Sequence, residues 1–370
     1  MTDVVVVGGG VIGLSLAWEL ASEGAEVTLI ERGQPGAEAS WAGAGILLPG
    51  NPNLSHASES GLRALSHTLW PTWSQRLRDD TGIDNGFSVC GGLQVRLDGQ
   101  PNDIEDEITF WQSEGVAVEP LTPQQAMQLE QRLSPRCTSA YRLPELGQVR
   151  SPRHLKALLA AATAIGVRLQ TGCSVTGFDL HNDRVESVLT SNGEFHAGRF
   201  CVCGGAWSRQ ILETAGCDVP VDPVRGQIVQ LSSLPLPFRH VIQNGSRYLV
   251  PRPDGVILVG STEERVGFEK RNTPEAVAGL LQFATLLVPA LSSATFVRAW
   301  SGLRPGSPDG LPLLGRVGRI ENLFVATGHF RSGLQLSPGT AVVLRQLLLE
   351  QEPAIPTTGF SPEAAVALTK

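Results

Sequence analysis

The chain has 370 residues, 41 of them Gly and 25 Pro, with 18% charged residues and a net charge of −7. This length holds two domains or one large one, and an acidic balance with no basic block argues against nucleic acid as a partner. Its six cysteines form no C-x-x-C pair, and no H-E-x-x-H, His cluster or G-x-S-x-G elbow accompanies them, so neither a metal centre nor a serine hydrolase finds support.

Val4 to Val7 are β-branched and run straight into Gly8-Gly9-Gly10-Val11-Ile12-Gly13. Helical spacing follows (Leu14, Leu16, Ala17, Leu20, Ala21), then Gly24 and a second strand, Val27 to Ile30, ending at Glu31. A bare G-x-G-x-x-G is a weak signal. In this βαβ context, with Glu31 placed 18 residues after Gly13, it becomes a strong one for a dinucleotide. Gly8 permits the tight turn, Gly10 lets backbone approach a pyrophosphate, and Gly13 lets helix and strand pack closely. The helix N-terminus offers unpaired N–H groups to the phosphates, and Glu31 accepts from a ribose hydroxyl. With Asp3 in place of basic residues and a strand starting at once, no signal peptide is expected; the cysteines read as reduced core residues of a cytoplasmic protein.

The spacing of Leu62, Leu65, Leu69, Trp73 and Leu77 predicts a helix over Ser60 to Arg78. A strand is expected from Val89 to Leu97, short helices at Ile104 to Gly115 and Pro123 to Leu129, and a helix at Leu155 to Ile165. Strands follow at Val167 to Leu169, Ser174 to Leu180, Val185 to Thr190, Glu194 to Ala197 and Phe200 to Cys203, a return to a central sheet with a β meander attached. Short strands are expected to dominate residues 224–302. Gln243-Asn244-Gly245-Ser246 and Pro253-Asp254-Gly255 mark hairpins around a strand from Arg247 to Arg252, with Tyr248, Val250 and Arg252 on one face. Ala276 to Leu291, interrupted by Gln282 and Pro289, reads as a buried or amphipathic helix, not a membrane span. Leu323 to Ala326 is a strand, and Gly333 to Glu350 a closing amphipathic helix.

The opening motif does not separate NAD from FAD. Three later segments do: Ala39-Ser40-Trp41-Ala42-Gly43-Ala44-Gly45-Ile46, Cys203-Gly204-Gly205-Ala206-Trp207-Ser208, and Leu303-Arg304-Pro305-Gly306-Ser307-Pro308-Asp309-Gly310-Leu311-Pro312-Leu313-Leu314-Gly315 leading to Gly328-His329-Phe330-Arg331-Ser332-Gly333. Together they resemble the D-amino-acid oxidase and sarcosine oxidase superfamily of FAD enzymes. The L-R-P-G-x-x-D-G-x-P-x-x-G and G-H-x-R-x-G segments most resemble its glycine oxidase branch, which serves the thiamine pathway. The resemblance covers nearly the whole chain and is weakest between residues 50 and 150.

The resemblance implies an α/β fold: a doubly wound, Rossmann-like FAD domain (residues 1–84, 151–220 and 303–370) interleaved with a substrate domain on an antiparallel sheet (85–150 and 221–302). It implies Gly8, Gly10, Val11, Ile12 and Gly13 at the pyrophosphate, Glu31 and Arg32 at the adenosine, and Val175 offering its backbone to the adenine. Ala39, Ser40, Ala44, Gly45 and Ile46 would line phosphate and flavin. His329, Phe330, Arg331, Ser332, Gly333, Leu334 and Gln335 would lie along the flavin's pyrimidine edge. His329 reads equally as a packed loop histidine. Arg304 would fork a substrate carboxylate, Tyr248 would add a phenol hydrogen bond, and Arg331 would join them. No cysteine lies in Leu303–Gly315 or Gly328–Gln335, so the FAD is expected to be non-covalent. The implied reaction is oxidative deamination of glycine, with sarcosine or small D-amino acids as further substrates, oxygen as acceptor and no dedicated general base. A broader D-amino-acid oxidase or dehydrogenase is the alternative. The resemblance leaves the oligomeric state open, a homo-oligomer included. One departure matters: the segment Gly260-Ser261-Thr262-Glu263 carries Glu263 where glycine oxidases place a methionine. That glutamate either alters the pocket wall or faces outward.

Overall fold

The computed structural model describes residues 2–54, 58–101 and 103–363. Its first layer is a six-stranded sheet in the order Leu313–Arg316, Leu323–Thr327, Arg199–Val202, Val4–Val7, Val27–Glu31, Arg168–Thr171. Val4–Val7 lies centrally, parallel to both neighbours and buried throughout. Strand alternation splits its side chains between two cores. Val4 and Val6 face the helices Val11–Ser22, Ser151–Ala164 and Gly333–Leu348, whereas Val5 and Val7 face the other way. On that opposite face lie the three-stranded meander Val175–His181, Arg184–Thr190, Gly193–His196 and the short helix Ser208–Glu213.

The second layer is an eight-stranded sheet in the order Thr295–Gly306, Asp222–Ser232, Val256–Gly260, Arg247–Pro251, Val241–Asn244, Gly92–Leu97, Cys137–Leu143, Glu119–Leu121. Neighbours are antiparallel except Val241–Asn244 beside Gly92–Leu97. The helix Pro274–Leu287 covers one face through Leu280, Phe283, Ala284 and Leu287. The other face, with Ile228, Val250, Leu258 and Trp300, turns toward Ala44 and the nucleotide layer. A small sheet of Ile46–Leu47, Gly147–Gln148 and Ser88–Val89 stitches the two layers together.

Three expectations are corrected. Residues 224–302 are framed by two long strands, Asp222–Ser232 and Thr295–Gly306, paired along their length. The expected boundary at residue 303 therefore falls inside a strand. Pro305 is tolerated there because the strand stands at the sheet edge. The strand expected from Val89 to Leu97 breaks at Gly91, whose φ of 71° turns the chain from the small sheet into the large one. The helix expected from Ala276 to Leu291 begins at Pro274 and ends at Leu287, after which Pro289–Ser293 is a 3-10 turn. Among the described residues no helix is long and apolar enough to cross a membrane.

Candidate active site

The glycine turn works by exclusion. Gly8 has φ 110°, and a Cβ there would stand 2.4 Å from the Cys203 carbonyl oxygen; a Cβ on Gly13 would stand 1.9 Å from the Gly8 carbonyl oxygen. Strand, turn and helix can meet only if both are glycine. Gly10 caps the helix Val11–Ser22 without a side-chain bond, and the Val11 N–H donates to Ser40 Oγ at 2.9 Å. In front of this turn lies a cavity of ≈ 330 Å³ between Gly8, Gly10, Glu31, Arg32 and Val175 on one side and Cys203 to Trp207 on the other. The Glu31 carboxylate accepts from the Gly9 N–H at 2.7 Å and the Gly33 N–H at 2.8 Å. It thus braces the turn, keeps capacity to accept further hydrogen bonds, and lines the cavity. The Arg32 guanidinium lies 3.7 Å over the Trp207 ring. Trp207 stands out in the sequence only as the aromatic after Cys203-Gly204-Gly205-Ala206.

A second cavity, ≈ 130 Å³, continues past Gly10, Ser40 and Gly43 to His329, Phe330 and Leu334. His329 is buried, with Nε2 3.0 Å from Thr340 Oγ1, and burial pushes its pKa down to about 3. Its ring therefore stays neutral and packs on the closing helix. Phe330 holds φ 47°, its N–H donating to the Pro305 carbonyl at 2.9 Å. A bulky residue is rarely left-handed, and this hydrogen bond helps to hold it. Ser332 caps the closing helix, which starts at Gly333; Leu334 and Gln335 are buried in its first turn. The Gln335 amide donates to the Leu48 carbonyl at 3.3 Å.

The third cavity, ≈ 110 Å³, is bounded by Ala44, Gly45 and Ile46 on the nucleotide side and Tyr248, Ser261 and Arg304 on the sheet side. Arg304 donates to Ser261 Oγ at 2.6 Å and to the Thr262 carbonyl at 3.0 Å. A Cβ on Gly226 would stand 2.2 Å from its guanidinium, and one on Gly260 2.3 Å from the Tyr248 ring. Both side chains thus lie flat on glycines of neighbouring strands. Burial lowers the Arg304 pKa and raises that of Tyr248, and each group partly offsets the shift of the other. Behind Thr262 stands a polar brace. Glu264 accepts from the Thr262 hydroxyl at 2.5 Å and from Gln227 at 2.8 Å, and pairs with Arg225.

Arg331 reaches the rim of this cavity, where Nε and Nη2 donate to Glu263 Oε2 at 3.2 and 2.9 Å and Nη1 to the Ser246 carbonyl at 3.0 Å. Glu263 is half exposed and absent from the cavity lining, so of the two orientations open to it the structure shows the outward one. The residue that sequence reasoning missed is Arg252, one position beyond the strand Arg247–Pro251. It is 4% exposed and donates to the carbonyls of Ala44 (2.6 Å) and Val149 (3.0 Å) and to the Gln148 side chain (2.6 Å). Burial pushes its pKa down to about 10. Its signal was one arginine on the Tyr248 face of a hairpin strand, which says nothing of the carbonyls it meets.

The three cavities share walls. Ala39 lines all of them, Gly10, Ser40 and Cys203 the first two, and Gly43, Arg304, Arg331 and Leu334 the last two. They form one elongated slot that passes a helix N-terminus and ends at a guanidinium. This shape and donor set fit an extended dinucleotide with its reactive ring beside Arg304.

A family model described as FAD dependent oxidoreductase matches residues 3–347. The chain is 36% identical to glycine oxidase from Pseudomonas putida over 98% of both chains. It is 36% identical to the bifunctional protein ThiO/ThiG of Nostoc sp. over 95% of this chain and 53% of that longer protein. Its fold superposes on the crystal structure of glycine oxidase from Geobacillus kaustophilus with a TM-score of 0.92 and 32% identity, covering 97% of each.

Proposed function

We infer that this chain, which belongs to the FAD-dependent oxidoreductase family, oxidises glycine in the small cavity beside Arg304, with FAD held non-covalently along the slot. Overall, glycine, oxygen and water yield glyoxylate, ammonia and hydrogen peroxide; the imine formed before hydrolysis is the species thiazole assembly for thiamine would use. Sarcosine and small D-amino acids belong to the same substrate class. The reading extends to a cytoplasmic location, where the six cysteines remain reduced.

When bound, FAD supplies the two-electron acceptor and its reoxidation by oxygen. Val11, Ile12 and Gly13 would hold the pyrophosphate, Glu31 and Arg32 the adenosine, and Val175 the adenine. Ala44 to Ile46 and His329 to Gln335 would hold the flavin, where the N-terminus of the closing helix favours negative charge. Arg304 keeps free N–H groups beyond Ser261 and Thr262 and offers them to the substrate carboxylate. Tyr248 adds its hydroxyl. Both stay protonated near neutrality, so both donate and neither takes a proton. The small volume aligns a small amine, and positioning carries the catalysis.

One observation carries this reading. Among the described residues no carboxylate lies within salt-bridge reach of Arg304, whose hydrogen-bond partners are a hydroxyl and a carbonyl. A half-buried cation with only neutral partners is a receptor for an anion. The test is anaerobic mixing of the yellow holoprotein with glycine, sarcosine and D-alanine. Bleaching by glycine and sarcosine is expected. No bleaching by any of them sinks the reading, and much faster bleaching by D-alanine moves it to a broader D-amino-acid oxidase or dehydrogenase.

A further inference from the structure

Glu263 and Glu264 are adjacent and serve different cations. Glu264 belongs to Arg225, behind the site. Glu263 belongs to Arg331, at its mouth. The Arg331–Glu263 contact uses two guanidinium nitrogens on one carboxylate oxygen, while the third nitrogen is held by the Ser246 carbonyl. Arg331 still lines both the middle and the small cavity. Among the described residues the charged side chains lining the small cavity are Arg304 and Arg331 alone. Both Arg331 and Glu263 act on Arg304 electrostatically, with opposite signs.

The charges can therefore be counted. Two guanidiniums lie at the cavity and one glutamate sits on one of them, which leaves a single positive charge for the ligand. An amine that gives up electrons must carry its lone pair, so a reacting monocarboxylate brings one negative charge and balances the site. A ligand with two carboxylates brings one charge too many, and its second carboxylate must compete with Glu263 for Arg331. Like charge placed beside like charge is a device for rejecting the wrong ligand.

We propose that Glu263 is a specificity determinant: by occupying Arg331 it restricts the site to amines with one carboxylate and discriminates against those with two. The inference rests on the glycine reading for the place of the first carboxylate, on Arg304. It concerns this chain's own ion pair and needs no turnover to be tested.

The experiment titrates the yellow holoprotein with glycolate and with malonate, following the visible absorbance and taking the ratio of the two dissociation constants. In the unaltered protein glycolate should bind at least as tightly as malonate. Glu263→Gln should shift the ratio toward malonate by about tenfold, as expected when one nearby charge is removed from a partly buried site. Glu263→Asp should keep the original preference, and adding Arg331→Gln to Glu263→Gln should abolish the gain. A ratio that stays within about twofold in Glu263→Gln, or a gain that survives loss of Arg331, overturns the proposal. Glycolate binding that depends on Arg304, with the expected ratio shift but no oxidation of glycine, would overturn the function while this inference stands. Oxidation of glycine with an unmoved ratio would do the reverse. No Arg304-dependent carboxylate binding at all overturns both.

Discussion

The two ends of the slot are built by opposite means. At the glycine turn the working groups are backbone N–H groups, and the side chains that matter are those that are missing: a Cβ on Gly8 or Gly13 would strike a carbonyl oxygen. At the other end the working groups are long side chains, Tyr248 and Arg304, laid on glycines of adjacent strands and shifted electrically by burial. The turn, helix and acid of the first end come from one contiguous stretch of chain, with Val175 and Cys203 to Trp207 closing the cavity before it. The second is assembled from the strands Asp222–Ser232, Arg247–Pro251 and Thr295–Gly306 with the segment after Gly260. Backbone sites tolerate no added volume, and side-chain sites tolerate no lost charge.

The largest test of that contrast is Arg304→Ala. Removing a charged partner from a carboxylate site costs about 2–5 kcal/mol, so kcat/KM for glycine should fall roughly 30- to 4000-fold. The protein should stay folded and yellow, since the proposed FAD-holding groups from Gly8 to Glu31, Ala39 to Ile46 and His329 to Gln335 are left intact; near-normal turnover would place the carboxylate on Arg331. Arg252→Met tests the seam between the two ends. It leaves the buried carbonyls of Ala44 and Val149 unpaired, at about 1–3 kcal/mol each. A lower Tm and weaker FAD affinity should appear together, and an unchanged Tm would show that other donors reach those carbonyls.

Gly13→Ala probes the backbone end. Overpacking of this kind costs about 1–3 kcal/mol, and the damage should appear in FAD affinity measured on apoprotein, with the carboxylate site unaltered in any holoprotein that forms. Full FAD affinity would mean that the turn can spread. pH separates packing from chemistry at His329. His329 and the equally buried His154 are each held at about 3, against an ordinary 6.5. Below pH 6.5 the unfolded chain takes up protons that the folded chain refuses, so stability is lost as pH falls toward 3. Each histidine should cost about 2 kcal/mol by pH 5. Thermal melts at pH 7 and 5 check this, and replacing His329 by Gln should remove its share of the slope. A slope that His329→Gln leaves untouched would return the ring to a charged role. The mildest change is Tyr248→Phe, which removes one neutral hydrogen bond while the ring still packs. A loss of about 0.5–1.5 kcal/mol in kcat/KM is expected; a loss as large as that of Arg304→Ala would erase the ranking of the two groups.

Legibility follows the same division. The glycine turn was readable because its demands are local. Strand, turn, helix and Glu31 lie within the first 31 residues, and the hydrogen bonds and clashes that require glycine are made within or beside that unit. The hairpin around Tyr248 was readable from Asn244-Gly245, where Gly245 takes φ 57°. Arg304 and Arg331 were found through a resemblance, and their surroundings were not. Pro305 and Gly306 suggest a loop, yet pairing of Arg304 with Val224 carries the strand through them. Nothing in the local sequence of Glu263 shows that it meets Arg331, 68 residues away.

The amino-acid sequence by itself thus determined the dinucleotide turn and the alternation of nucleotide and sheet segments, because steric exclusion and strand periodicity act over a few residues; the residues at the reacting end came from the resemblance. Only the tertiary structure decided which cations are free and which are spent. Arg225 is taken by Glu264, Arg331 by Glu263 and Arg252 by backbone carbonyls, while Arg304 faces the cavity with neutral partners. The availability of a charge depends on what lies within a few ångströms of it and how dry that place is, and long-range folding sets both.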